Sequence, residues 1–164
     1  MFKFEKLIFG DLGWGDEFLA LENAGVITVA AAGNSYSEYQ LPGVSYPASD
    51  PNVIGVGATF DANLGKLSWG GAEATTTDID RITPFSQRSE TLTEIFAPGG
   101  NITGAAPGGG LGDMYGTSQA APHIAGIVLL AQQLANQELG RNLTSSEFVN
   151  ILQQTAVTIN DGDD

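Results

Sequence analysis

The sequence predicts a layered α/β domain on a mainly parallel sheet, with fewer strands than a complete sheet of that type holds. Three observations carry this. Residues 26–31 (Val-Ile-Thr-Val-Ala-Ala) and 53–58 (Val-Ile-Gly-Val-Gly-Ala) are continuous apolar runs, the pattern of parallel strands buried on both faces. Residues 118–139 form a long helical pattern with Ala120, Ala121, Ile124, Ala125, Ile127, Val128, Leu129, Leu130 and Leu134 around most of its circumference, which predicts central burial. Shorter helical patterns flank these elements on either side.

Taken in order, residues 16–24 predict a short helix with Phe18, Leu19 and Leu21 on one side and Gly25 as its stop. The strand 26–31 follows at once, then a turn-rich stretch over 34–52 and the strand 53–58. Residues 61–81 are polar without clear period and read as a long loop with room for a short strand. Residues 94–97 form a weaker strand, ended by Pro98-Gly99-Gly100, and a glycine-rich loop covers 104–112. The last helix opens on the capping box Thr144-Ser145-Ser146-Glu147, with Phe148, Ile151 and Leu152 as its stripe. Two or three strands cannot complete a sheet of that type, so the architecture reads as cut.

Composition excludes several functions. The 164 residues suffice for one domain, and 42% hydrophobic with 15% charged residues is an ordinary globular balance. Six basic against 19 acidic residues give a net charge of −13, so the chain has no footprint for phosphates or an anionic membrane surface. The expected partners therefore include neither nucleic acid nor membrane. With no cysteine, thiolate catalysis, cysteine-based zinc sites and disulfides are excluded. The first nine residues are too short and too charged for a signal peptide, and no apolar run reaches the ~18 residues of a membrane span.

The most informative stretch is Gly116-Thr117-Ser118-Gln119-Ala120-Ala121-Pro122-His123-Ile124-Ala125-Gly126. A serine at a helix N-terminus has two local readings. It is a common N-cap, or it is a nucleophile whose developing charge is favoured by the helix dipole and free N–H groups. The Gly-x-Ser-x-Gly elbow fails, because Ala120 holds the last position. Asn34, after the first strand, has the parallel pair of readings: a turn residue, or an amide held at the sheet's C-terminal edge.

The segment 116–126 resembles the nucleophile signature of the subtilisin-like serine proteases (subtilases, the peptidase S8 family). Residues 25–34 resemble the strand that ends in that family's oxyanion-hole asparagine. Tyr46-Pro47-Ala48, residues 53–58, Phe85-Ser86 and Phe96-Ala97-Pro98-Gly99 follow in the family's order. The resemblance covers about 16–156. It implies a single incomplete peptidase S8 domain over 1–164, with 157–164 an acidic tail. It also implies a serine-type endopeptidase acting on polypeptide through an acyl-enzyme on Ser118, with Asn34 in the oxyanion hole and Ala31, Ala32 and Gly33 as one wall of the substrate pocket. The opposite wall is expected near residues 10–15, which fit the family only loosely.

The resemblance implies no cofactor for the chemistry, no catalytic metal, and a structural calcium site at the carbonyls near 48–53. It places the parent protein as secreted.

The sole histidine is His123, five residues after Ser118 and about 140° around the helix at ~100° per residue. It cannot reach Ser118 and reads as structural. The resemblance implies that the triad Asp and His belong to an N-terminal half, in motifs of the form Asp-Ser/Thr-Gly and His-Gly; these do not occur here, so the N-terminal strands that carry them are expected to be missing too. The expectation is that the chain alone is inactive. It is then either a non-catalytic fragment or one completed by a missing N-terminal half. An unrelated α/β binding module with a chance Gly-Thr-Ser is the third reading.

Weaker motifs add little. Asp161, Asp163 and Asp164 lack the remaining oxygens of a calcium loop, and Asp78 with Asp80 is no stronger. The glycines of 108–112 do not form a dinucleotide fingerprint. Asn101 and Asn142 head glycosylation sequons.

Overall fold

The computed structural model describes residues 13–69 and 72–159. Helix α1 (Gly15–Asn23) stops at Gly25, whose φ of 76° only glycine adopts without strain. Strand β1 (Thr28–Ala31) follows, then a single helical turn α2 (Tyr36–Tyr39) and strand β2 (Val53–Phe60). Between β2 and the next strand of its sheet lies an antiparallel hairpin, β3 (Leu67–Trp69) with β4 (Ala72–Ala74). β5 (Ile95–Gly100) then completes a parallel sheet of order β1-β2-β5. Thr28 to Ala31 pair with Val53 to Val56, and Val56 to Thr59 pair with Ile95 to Pro98.

A second hairpin, β6 (Ile102–Ala105) with β7 (Leu111–Met114), fills the glycine-rich stretch. The two helices α3 (Thr117–Leu139) and α4 (Ser145–Thr155) end the described chain. No helix among the described residues is long and apolar enough to cross a membrane.

The core forms where α3 crosses all three parallel strands. Ile54, Val56, Ala58 and Ala97 of the sheet meet Ala120, Ile124 and Ala135 of α3 and Phe148 of α4. Small residues allow the close approach: a side chain on Gly99 would collide with the Gly116 carbonyl and Ala58. α4 is set by the expected capping box, with Thr144 accepting from the Glu147 N–H and Glu147 reaching back to the Thr144 N–H. Gln132 of α3 grips Leu143 just before it, at 2.7 and 2.9 Å.

Several expectations are corrected. α3 is not buried all round. Only Thr117, Ala120, Ile124 and Ala135 are buried, while Leu129 and Leu130 are 70% and 66% exposed and Ile127 and Leu134 are exposed beside them. The sheet has three strands and α3 covers one face of them, so nothing among the described residues meets the helix's far side.

β1 is half-buried throughout and, among the described residues, pairs only with β2, so it is not the doubly covered strand its sequence suggests. β2, in the middle, has all eight residues buried. The strand expected at 94–97 continues through Pro98-Gly99-Gly100. Pro98 sits on an edge strand, where its missing N–H costs no ladder bond. The stretch 61–81, read as a loop with room for a short strand, holds the β3–β4 hairpin, and the loop expected at 104–112 lies within the β6–β7 hairpin; both are made of runs too short for periodicity to reveal. In α1, Leu19 and Leu21 are exposed and no residue is buried. The tail residues Asp161, Asp163 and Asp164 and residues 10–12 of the expected second wall lie outside the described residues.

Candidate active site

The C-terminal ends of β1 and β5 converge on the start of α3. β1 runs out through Ala32 and Gly33 to Asn34, and the Gly116 N–H donates to the Gly99 carbonyl at 2.8 Å. α3 begins at Thr117 with Gly116 as its flanking residue, so Ser118 is the second helical residue and not the cap.

Thr117 ties the two halves of the site together. It is fully buried. Its N–H donates to Asn34 Oδ1 at 2.9 Å and its hydroxyl donates to the same oxygen at 3.1 Å. The same hydroxyl accepts from the Gly33 N–H at 3.1 Å. With Oδ1 held twice, the Asn34 amide has one orientation, and its Nδ2 is the atom left for a ligand. A side chain on Gly116 would sit 3.3 Å from that Nδ2, so glycine keeps the approach open. Gly116 also has φ 148°, within the range that favours glycine.

Ser118 is exposed, and neither its hydroxyl nor its N–H bonds to any described residue. The N–H is one of the free donors of a helix's first turn, where the dipole favours negative charge. Pro122, inside α3, has no N–H to return to the Ser118 carbonyl. The structure thus brings Ser118, Asn34 and Gly33 together, as the spacing alone could not show. Thr117, the clamp, was not among the sequence candidates. Its place inside Gly-Thr-Ser was the one available signal.

Ala31 and Gly33 are half-buried, and Ala32 is fully buried against Val44 and Ala48, so this stretch can offer substrate mostly backbone. Behind Gly33 stand Gln87 and Ser45, joined by a 2.7 Å hydrogen bond from the serine hydroxyl. On the side of residues 10–15, Trp14 is exposed and its ring leans on Tyr46 at 6.3 Å.

His123 is exposed, with Nδ1 2.8 Å from the Gln119 carbonyl of its own helix. No three His, Cys, Asp or Glu gather as a metal site among the described residues. Near 48–53, the Ala48 and Leu92 carbonyls and the Glu94 carboxylate surround Gly55, whose N–H donates to Glu94 at 2.6 Å. Burial pushes the Glu94 carboxyl above its ordinary value, against that hydrogen bond. These oxygens are fewer than the 6–8 a calcium ion takes.

The Subtilase family model matches residues 14–164, the span that contains every element above. The chain belongs to this family. A subtilisin-like protease of Trichophyton rubrum is 38% identical over 105 residues, covering 63% of this chain and 16% of that protein. One from Arthroderma otae is 35% identical over 119 residues, 71% of this chain and 25% of its own. A subtilisin of Bacillus pumilus is 35% identical over 108 residues, 66% and 33%. Among solved structures, the prenylagaramide maturation protease PagA superposes with a TM-score of 0.71 at 27% identity, over 94% of this chain and 50% of that one. This subtilase chain therefore spans a third or less of the curated relatives it matches and half of that structure.

Proposed function

We propose that this subtilase chain carries the nucleophile and oxyanion half of a serine endopeptidase site. The observation that supports it most is the Thr117 clamp, which holds Asn34 against the start of the Ser118 helix. Ser118 Oγ attacks the scissile carbonyl, and its proton passes to a base. The tetrahedral oxyanion accepts from Asn34 Nδ2 and the Ser118 N–H, donors fixed before the charge develops. Collapse of that intermediate expels the amine, which takes the proton back from the base, and leaves an acyl-enzyme on Ser118, which water then hydrolyses. None of these steps calls on a cofactor.

The base is not in residues 1–164, because the single histidine is bonded back onto its own helix. In this reading the remaining half of a subtilase domain, joined to this chain or separate from it, supplies the imidazole and its carboxylate. That half adds strands beside β1 and covers the exposed leucines of α3. An exported parent is the placement we propose.

The test is cleavage of a casein-type substrate by purified 1–164, alone and mixed with the N-terminal half of a subtilase domain. The expected result is none alone, and cleavage in the mixture that disappears in Ser118→Ala. Serine-dependent cleavage by the chain alone would overturn the need for a second half. A second reading, a non-catalytic fragment, draws on the same exposed leucines. A broad, non-cooperative melt that no second half sharpens would favour it.

A further inference from the structure

Gln119 follows Ser118, and its side chain does nothing for the helix it sits on. It holds the third position of α3 after the flanking Gly116. A glutamine there commonly reaches back to cap the N–H of the flanking residue. Here the Gly116 N–H is already spent on the Gly99 carbonyl at 2.8 Å, and α3 has no side-chain cap. Among the described residues the Gln119 amide has one partner, the Met114 thioether, 3.6 Å from Nε2. Sulfur of that kind is a weak acceptor, and no described donor reaches Gln119 Oε1.

We propose that Gln119 is a further catalytic residue, whose Nε2 turns away from Met114 and donates to the oxyanion beside Asn34 Nδ2. This rests on reading Ser118 as the nucleophile.

The two side-chain amides flank the same face of Gly116. A Cβ placed on that glycine would stand 3.0 Å from Gln119 Oε1 and 3.3 Å from Asn34 Nδ2. Glycine leaves that space empty, at the point where β1 and α3 meet. The backbone donors of the first turn narrow the choice further. The Thr117 N–H is bound to Asn34 Oδ1 and the Gln119 N–H donates to the Gly116 carbonyl at 3.0 Å. Only the Ser118 N–H remains free between them. An oxyanion on the carbon that Ser118 attacks therefore has one backbone N–H and two primary amides around it.

Of these two amides only Asn34 is fixed. Its Oδ1 is held twice by Thr117, whereas the Gln119 amide hangs on the thioether alone. The terminal torsion of glutamine is broad and roughly two-fold, so a half-turn exchanges Oε1 and Nε2 in place. At rest, Oε1 facing the Asn34 N–H group suits an uncharged site. Once the carbonyl oxygen becomes negative, that oxygen is repelled and Nε2 is drawn in. The half-turn gives up only the bond to Met114, which is 47% exposed and leaves the displaced Oε1 near water. The added hydrogen bond belongs to the transition state and not to the bound substrate, so it acts on kcat.

The test uses 1–164 in complex with the N-terminal half of a subtilase domain, cleaving a chromogenic peptide anilide. Gln119→Met removes both amide atoms at similar volume, and Gln119→Glu keeps the shape but removes the donor. Gln119→Met should lower kcat roughly tenfold with KM unchanged, the worth of one hydrogen bond to a charged group. Gln119→Glu should lower it further, because a carboxylate then faces the oxyanion. A peptide boronate, whose tetrahedral adduct on Ser118 carries a negative charge at the same place, should lose affinity in proportion. The same peptide lacking boron should bind all three chains alike. Unchanged kcat in Gln119→Met, a loss confined to KM, or equal weakening of both inhibitors would overturn the inference and leave Ser118-dependent cleavage standing. No cleavage by the unsubstituted complex would overturn the protease reading and this inference with it.

Discussion

The two faces of α3 follow opposite rules. The inner face is small and dry: Ala120 is fully buried, Ile124 and Ala135 nearly so, and a methyl group on Gly99 would sit only 3.3 Å from the Ala120 Cβ. The outer face carries larger apolar residues, Ile127, Leu129, Leu130 and Leu134, and leaves all of them exposed. Burying one such side chain is worth about 1.5–3 kcal/mol, so the outer face holds stabilisation that the described fold does not use. The difference teaches that composition around a helix reports how many surfaces it was shaped to meet, whereas burial reports how many it meets. The Ser118 end of the helix belongs to the finished side. Thr117, Asn34 and Gly33 are bonded together without any contribution from the outer leucines.

Mutations can break or sharpen this contrast. The largest effect is expected at the finished end. In a domain completed by a second half, Asn34→Ala should lower kcat by about 10²–10³ with little change in KM, the magnitude measured for loss of an oxyanion-hole donor in a subtilisin. A fall confined to KM would remove Asn34 from the oxyanion hole. Next, Ile124→Ala on the inner face should cost about 2–5 kcal/mol in denaturant unfolding, whereas Leu130→Gln on the outer face should stay within about 0.5 kcal/mol for 1–164 alone. In the completed domain Leu130→Gln should become strongly destabilising. If it stays neutral there, the outer face is not the surface that the second half covers.

Smaller effects lie farther from α3. Glu94 is desolvated and its carboxyl is raised above 4.5, so its charge costs stability at neutral pH. That cost is full above the raised value and vanishes as pH falls below 4.5, where the carboxyl is protonated in both states. Glu94→Gln should therefore stabilise the chain near neutrality, by about 0.5–1 kcal/mol after solvent screening, and not below pH 4.5. Thermal melts of the two chains at pH 7 and pH 4 read this directly. The smallest effect belongs to the start of α4. The Arg141 guanidinium, with the Thr144 N–H, holds Glu147 down to about 2. Its contribution is present above 4.5 and fades as pH falls toward 2. Amide exchange at residues 145–148 should quicken in that window, and Arg141→Ala should move the change to higher pH.

Much of this was legible in the chain because it depends on neighbours in sequence. The ends of α1 and α4 were readable from Gly25 and from the Thr144–Glu147 box, since caps are settled within one turn. The helix of Ser118 was legible from apolar residues around most of its circumference, and β2 from its apolar run. Ser118 and Asn34 could be named from their flanking residues, but not their union, which needs a bond across 83 positions from Asn34 to Thr117. The two hairpins were hidden because three- and four-residue strands carry too few side chains to show a period.

What could be read from the chain alone was therefore local and chemical: the helix caps, the strand and helix types, the serine and its helix, and the absence of any histidine able to serve it. Tertiary packing decided that β1 is half-buried beside β2, that one face of α3 is exposed among the described residues, and that the Asn34 oxygen is tied to Thr117. Those outcomes depend on which surfaces meet across long stretches of chain. Burial and orientation are properties of such meetings, and no single segment contains them.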